Sequence, residues 1–347
     1  MLSRVADSLY WMSRYLERAE HLARVVDVYL NRLLELSNQS DEARWDLMLG
    51  SLHAALPAKA PASPDAELST NGRPPQDTST PDATPASARS SVHALIFDPE
   101  NGSSLAFCIE KARENARQVR EQISSEMWEQ LNQVFLFVRQ SSAQQMWQTE
   151  PHRFFTAVKD GSHLFQGIAD STMNHSQGWD FIQAGRFIER ASSVAALLDA
   201  HYAAFMKSID DSIKPDDYFD WVCMLKSCTA FEAYCKVYTA NLTPYAMAEF
   251  LLLNADFPHS IRFSIDMVQN AMLAIAEATK TPRSGRASRL VGRLLAELNF
   301  GQIEEVMAQG VNGYLQDVQR QCSVIHAAFY QTYIFYPIDS SRLRLET

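Results

Sequence analysis

Cysteine is scarce: Cys108, Cys223, Cys228, Cys235 and Cys322 are the whole set, and no C-x-x-C spacing occurs. An odd number without that spacing excludes a disulfide framework and a cysteine zinc site, and favours free thiols in a reducing compartment. Lysine is also sparse, 8 residues against 23 arginines, so positive charge is carried mainly by the side chain best suited to fixed, bidentate pairing. Basic excess is absent. A net charge of −10 argues against general nucleic-acid binding, which needs a basic face to neutralise phosphates. No apolar run approaches the roughly 20 residues needed to span a bilayer. The opening "MLSRVADSLYWMSRYLERAE" carries charges every few residues and no apolar h-region, so it does not read as a signal peptide. The expectation is a soluble cytoplasmic protein with neither membrane nor nucleic acid as partner.

Chemical signatures are missing as well. No Glu-x-x-His occurs, which removes the ligand pattern of a di-iron helical bundle. "GQIEEVMAQG" has no Lys-Ser/Thr to make it a phosphate loop. His163, His175, His201 and His326 stand isolated and read as cap or core histidines, while Cys228 and Cys235, one heptad apart in an apolar stretch, read as packing residues. No self-sufficient catalytic set emerges, and neither a metal nor a cofactor is expected. Aromatic residues are absent between Trp45 and Phe97, where seven of the fourteen prolines fall between Pro57 and Pro85. Such a stretch cannot bury enough apolar surface to offset its ordering entropy, so residues 56–91 are expected to form a disordered insertion.

What remains is helical. Leu2, Val5, Leu9, Met12, Leu16, Ala19, Ala23, Val26, Leu30 and Leu33 are spaced alternately by three and four, and Phe181, Ala184, Ile188, Ala191, Ala195, Leu198 and Tyr202 repeat the rhythm. No run alternates as strands do. The predicted class is all-α, a bundle of long helices. Two internal echoes divide it. "LYWMSRYLERAEHLARVVD" (9–27) and "GWDFIQAGRFIERASSVAALLD" (178–199) share Arg-aromatic-aliphatic-Glu-Arg-Ala at an offset of 172. "FDPENGSSL" (97–105) and "LNADFPHSI" (253–261) share a loop that delivers Ser104 and Ser260 as N-caps, at an offset of 156. An internal duplication, with related halves at 1–175 and 176–347 forming one compact domain and an expanded loop in the first, accounts for both offsets.

Adjacent residues of a helix point about 100° apart, so Glu17 cannot serve Arg18, nor Glu189 Arg190. Three arrangements are open. Arg14–Glu17 and Arg186–Glu189 form i,i+3 surface pairs contributing a few tenths of a kcal/mol. Alternatively, Glu17 reaches Arg190 and Glu189 reaches Arg18, fixing how the halves dock at a real desolvation cost. In the third, Arg14 and Arg186 hold a ligand's carboxylate or phosphate. Arg113, Arg117 and Arg120, with Glu114 and Asn115 alongside, make a further stripe that is either a solvated face or a surface for anions; Arg286, Arg289 and Arg293 make another.

"MLSRVADSLYWMSRYLERAEHLAR", "FDPENGSSL…ARENARQVREQIS…MWEQLN", "GWDFIQAGRFIERA" and "SRLVGRLLAELNF" together resemble the bacterial alpha-E family, named for its helices and Glu-Arg motif. The resemblance runs through nearly the whole chain in order. It carries the motif onto Arg14, Glu17, Arg18 and Ala19, onto Arg186, Glu189, Arg190 and Ala191, and onto Arg113, Glu114, Asn115, Ala116 and Arg117. It departs at Asn254-Ala255, where the family often has Asp-Pro. It implies a helical protein that works beside a circularly permuted ATP-grasp ligase and a transglutaminase-like peptidase in making or modifying a peptide or amide bond. The expected role is a non-catalytic accessory or scaffold. The alternative is an enzyme of the same pathway that uses the Glu-Arg helices to bind an acyl, phosphate or carboxylate substrate.

Overall fold

Two long helices organise the molecule, each buried around most of its circumference. In a computed structural model, residues 1, 3–35, 41–52, 84–206, 213, 217–239, 241–280 and 285–334 are described, and no strand occurs among them. The first helix, α1 (Ser3–Glu35), buries the sequence-predicted seam residues Leu9, Met12, Leu16, Ala19, Ala23 and Val26, and on its other side Tyr10, Val25 and Tyr29. Then come α2 (Asp41–Ser51), α3 (Thr84–Phe97), α4 (Leu105–Gln118), α5 (Ser125–Arg139), α6 (Ser141–Thr149) and α7 (Pro151–Thr172). The second long helix, α8 (Gln177–Phe205), is followed by α9 (Tyr218–Ser227), α10 (Phe231–Tyr238), α11 (Pro244–Leu253), α12 (Ile261–Thr279), α13 (Arg286–Phe300), α14 (Ile303–Gln309) and α15 (Val311–Tyr333).

Packing follows one plan on both sides. α1 and α8 lie against each other; α4 and α7 flank α1 while α12 and α15 flank α8, and α5 bridges α4 to α7 as α13 bridges α12 to α15. The short helices cross over, α2 resting on α8 and α9 on α1. Contacts between residues 13 and 185, 17 and 190, 18 and 189, and 29 and 201 advance together, so α1 and α8 run parallel and in register. A single apolar cluster draws on both halves.

The predicted caps form. Ser104 and Ser260 each sit in extended backbone and accept from the amide three residues on, Phe107 at 3.2 Å and Phe263 at 3.0 Å, which satisfies a free first-turn N–H. Each hydroxyl also donates to a carbonyl six residues back, Asp98 at 2.6 Å and Asn254 at 2.5 Å. Asp98 and Asn254 both accept the amide two residues ahead through Oδ1 at 2.9 Å, so asparagine performs the turn function of aspartate.

One expectation needs correction. Residues 84–91 of the expected insertion are helical, as the start of α3. Pro85 falls in the first turn, where its missing N–H would go unpaired in any case, and Val92, Leu95 and Ile96 downstream are fully buried and anchor the helix. Residues 56–83 of the insertion lie outside the described residues.

Candidate functional site

At the α1–α8 seam the backbones come close enough to let polar side chains cross. A Cβ on Gly185 would fall well inside 3.0 Å of Ser13 Oγ and the Tyr10 carbonyl oxygen, so the contact is open only to glycine. One turn further along, the Glu-Arg residues of the two helices interlock. Arg190 Nε donates to Glu17 Oε1 at 2.5 Å, and Arg18 Nε donates to Glu189 Oε1 at 2.5 Å. Arg14 adds a second fork to Glu189, with Nε at 2.8 Å from Oε2 and Nη2 at 2.6 Å. Arg186 stands 3.6 Å from Glu17 Oε2, which also accepts from Gln166. Arg190 further donates to the Pro258 carbonyl at 3.1 Å, on the loop before α12.

The i,i+3 arrangement is therefore not the one adopted: Glu17 turns to α8 and Glu189 to α1, because neither can reach water. Glu17 is 2% exposed, and Glu189 and Arg190 are 5% exposed. Burial opposes ionisation of Glu189, but Arg14 and Arg18 outweigh it and hold the carboxyl at about 2. The same carboxylate raises Arg14 and Arg18 against the pull of burial. Burial and neighbouring Arg190 bring Arg186 down to about 10. Aromatic faces complete the cage, with the Arg14 guanidinium 4.7 Å from the Trp11 ring and Arg190 5.1 Å from Phe187.

Neighbouring layers were less legible. Glu20, buried two positions past the motif arginine, pairs with Arg24 one turn on and lies 3.5 Å from His163. The i,i+4 spacing of Glu20 and Arg24 was the available signal. Asp27 meets Lys159 Nζ at 2.6 Å and His152 Nδ1 at 2.8 Å. Tyr29 shares a 2.8 Å hydrogen bond with His201, a fully buried core histidine, and Tyr10 one of 2.8 Å with the half-buried His326. No local pattern pointed to these pairs, which join residues 172 and 316 positions apart.

The α4 stripe does not join the cluster. Arg113 leans onto α5, donating to Asn132 Oδ1 at 2.9 Å with Phe135 beneath it at 4.5 Å. Asn115 turns back to the Lys111 carbonyl. Arg117 makes an exposed i,i+3 pair with Glu114. Among the described residues no group of three or more His, Cys, Asp and Glu is placed to hold a metal, and no helix is long and apolar enough to cross a membrane.

The buried groups set an acid profile. Burial lowers His201 and His326 to about 4 from near 6.5, and Glu189 is depressed to about 2 from 4.5. In each case the unfolded chain binds more protons across the gap, so stability rises with pH through it. Two losses are expected on acidification, one between pH 6.5 and 4 from the histidines and one below 4.5 to which Glu189 and Glu20, lowered as well, both contribute. Urea melts across pH should show the lower step reduced in Glu189→Gln; an unchanged step would remove Glu189 as a source of it.

Comparison with known proteins gives a consistent picture. Residues 1–334 match the family model Alpha-E, described as a predicted alpha-helical domain with a conserved ER motif. An uncharacterised protein of Mycobacterium bovis and one of Mycobacterium tuberculosis are each 24% identical over 325 residues, covering 91% of this chain and 34% of the relative. The chain thus spans about a third of the length of these curated relatives. No solved structure matches.

Proposed function

We propose that this chain, which belongs to the Alpha-E family, is a non-catalytic helical partner of a circularly permuted ATP-grasp ligase, acting in the cytoplasm in the synthesis or modification of a peptide or amide bond. The observation that carries the non-catalytic part is the state of the motif glutamates. A general base works best with a pKa near the operating pH and a lone pair within reach of substrate. Glu17 and Glu189 are instead spent on cross-helix guanidinium groups, and Glu189 is shifted the opposite way. The enzyme reading, with an acyl, phosphate or carboxylate substrate worked on by these residues, finds less support for that reason. Burial pushes Cys108, Cys228 and Cys322 up to about 12, which makes them poor nucleophiles.

Association with a ligase rests on the resemblance; in the relatives the helical unit is joined to further chain. A transglutaminase-like peptidase is a second partner on the resemblance alone. The Glu-Arg residues serve as the clamp between two halves, which we read as copies of one unit; reciprocal pairs and matched Ser caps support that reading. Docking then falls to exposed surface, where Arg117 on α4 and Arg120 just beyond it make one arginine-bearing candidate and Arg286, Arg289 and Arg293 on α13 another. Co-purification with the ligase, and ATP turnover with and without this chain, tests the proposal. A stable complex and altered turnover are expected, both weakened at least tenfold by Arg117→Glu with Arg120→Glu. No complex and unchanged turnover would sink it.

A further inference from the structure

A cavity of about 220 Å³ opens between α1, α8, the end of α2 and the loop before α4, against the Arg14–Glu189 side of the Glu-Arg clamp. Its lining includes Arg14, Arg18, His21, Ser103, Ser192 and Glu189. Two of these keep a buried nitrogen with no hydrogen-bond partner, Arg14 Nη1 and His21 Nε2, as Arg186 Nε and Arg24 Nε do across the clamp. Buried polar groups in native proteins are almost always satisfied, so each orphan calls for an explanation. The charge is also unbalanced: two guanidinium groups face one carboxylate, and burial lowers His21, which keeps it neutral near pH 7. Ser103 directly precedes the N-cap of α4, so the positive end of that 14-residue helix borders the same space.

The opposite side of the clamp shows what such a space holds when filled. There Arg186 has a second carboxylate acting on it in addition to Glu17. Arg186 feels Glu17, Glu20 and Asp170, while the carboxylate that acts most on Arg14 is Glu189. Glu20 is paired with Arg24, and His259, on the loop before α12, lies close to Glu20 and Arg190. At the motif offset of 172 from Glu20 and Arg24 the chain has Ser192 and Ala196, and at the loop offset of 156 from Ser103 it has His259. Ser192, Ala196 and Ser103 all line the cavity. Three short side chains stand where the other side has a glutamate, an arginine and a histidine, and the missing volume is the cavity.

We propose that this cavity is a binding site for a small organic carboxylate, whose carboxyl group takes the place beside Arg14 and Arg18 that Glu20 takes beside Arg186. A monoanion supplies the Arg14–Arg18 pair with a second carboxylate, and a guanidinium offers a carboxylate a planar pair of donors. Leu22, Leu52 and Ala196 supply an apolar wall for the body of the ligand. The site is independent of the scaffold reading, since it needs no docked ligase.

N-acetylglycine, propionate and inorganic phosphate, titrated calorimetrically into the full chain at matched ionic strength, test the assignment. Saturable one-to-one binding of N-acetylglycine is expected, with phosphate at least tenfold weaker. Ser192→Glu with Ala196→Arg copies the filled side and should weaken N-acetylglycine at least tenfold while circular dichroism shows an unchanged helical fold. Should the double variant not fold, Ser192→Glu alone carries the same expectation. Absence of saturable binding, preference for phosphate, or binding undiminished in a folded variant would each overturn the proposal.

Discussion

Glu189→Ala lowers the free energy of unfolding by about 3–5 kcal/mol, the range for removing one partner of a buried ion pair. The loss exceeds that of a surface bridge because of what remains. Arg14 and Arg18 both direct an Nε to this carboxylate, and Arg14 adds Nη2, so its removal leaves the largely buried Arg14 and the partly buried Arg18 without a counter-charge. By contrast, Glu114→Ala breaks only the exposed pair with Arg117 and should cost about 0–1 kcal/mol. Urea or guanidinium melts of both variants measure the difference, provided the slope is unchanged so that the midpoint reports stability. A Glu189→Ala loss no larger than that of Glu114→Ala would contradict a buried clamp. Pairing across the helices is tested separately by charge exchange. Glu17→Arg combined with Arg190→Glu should recover part of what each single change loses, and no recovery would count against the direct Glu17–Arg190 bond.

Gly185→Ala is expected to destabilise by about 1–3 kcal/mol, although helix propensity alone predicts the reverse. Glycine inside a helix costs roughly 0.5–1 kcal/mol relative to alanine, so the substitution would stabilise α8 on its own. The added methyl would overlap the Tyr10 carbonyl oxygen, a backbone atom of α1 that can yield only if the two long helices separate. Separation by even a few tenths of an ångström lengthens the Glu-Arg bonds one turn away. Gly167 in α7 has nothing within 4 Å of an added Cβ and serves as the control. Gly167→Ala should gain about 0.5–1 kcal/mol. Similar outcomes for the two glycines in thermal or urea melts would argue against the close approach.

The sequence by itself determined the all-α class, the seams of α1 and α8, the Ser104 and Ser260 caps and the coincidence of two Glu-Arg helices. These are decided within a few residues, by apolar spacing and by orphan amides that a serine one turn away can satisfy. It also showed that Glu17 and Arg18 cannot pair, since helix geometry forbids it. Tertiary structure alone decided which partner each charge meets. Arg113, Asn115 and Arg117 share a stripe in sequence, yet one leans on α5, one turns to its own backbone and one stays in water. Arg14 and Arg186 hold equivalent motif positions, yet Arg14 borders the 220 Å³ cavity and Arg186 a much smaller one, because Ser192 and Ala196 leave open what Glu20 and Arg24 fill opposite. Burial and cross-helix distance set those outcomes. Both arise only when α1 and α8 come together at Gly185, and desolvation there turns charges that could have faced water into a clamp.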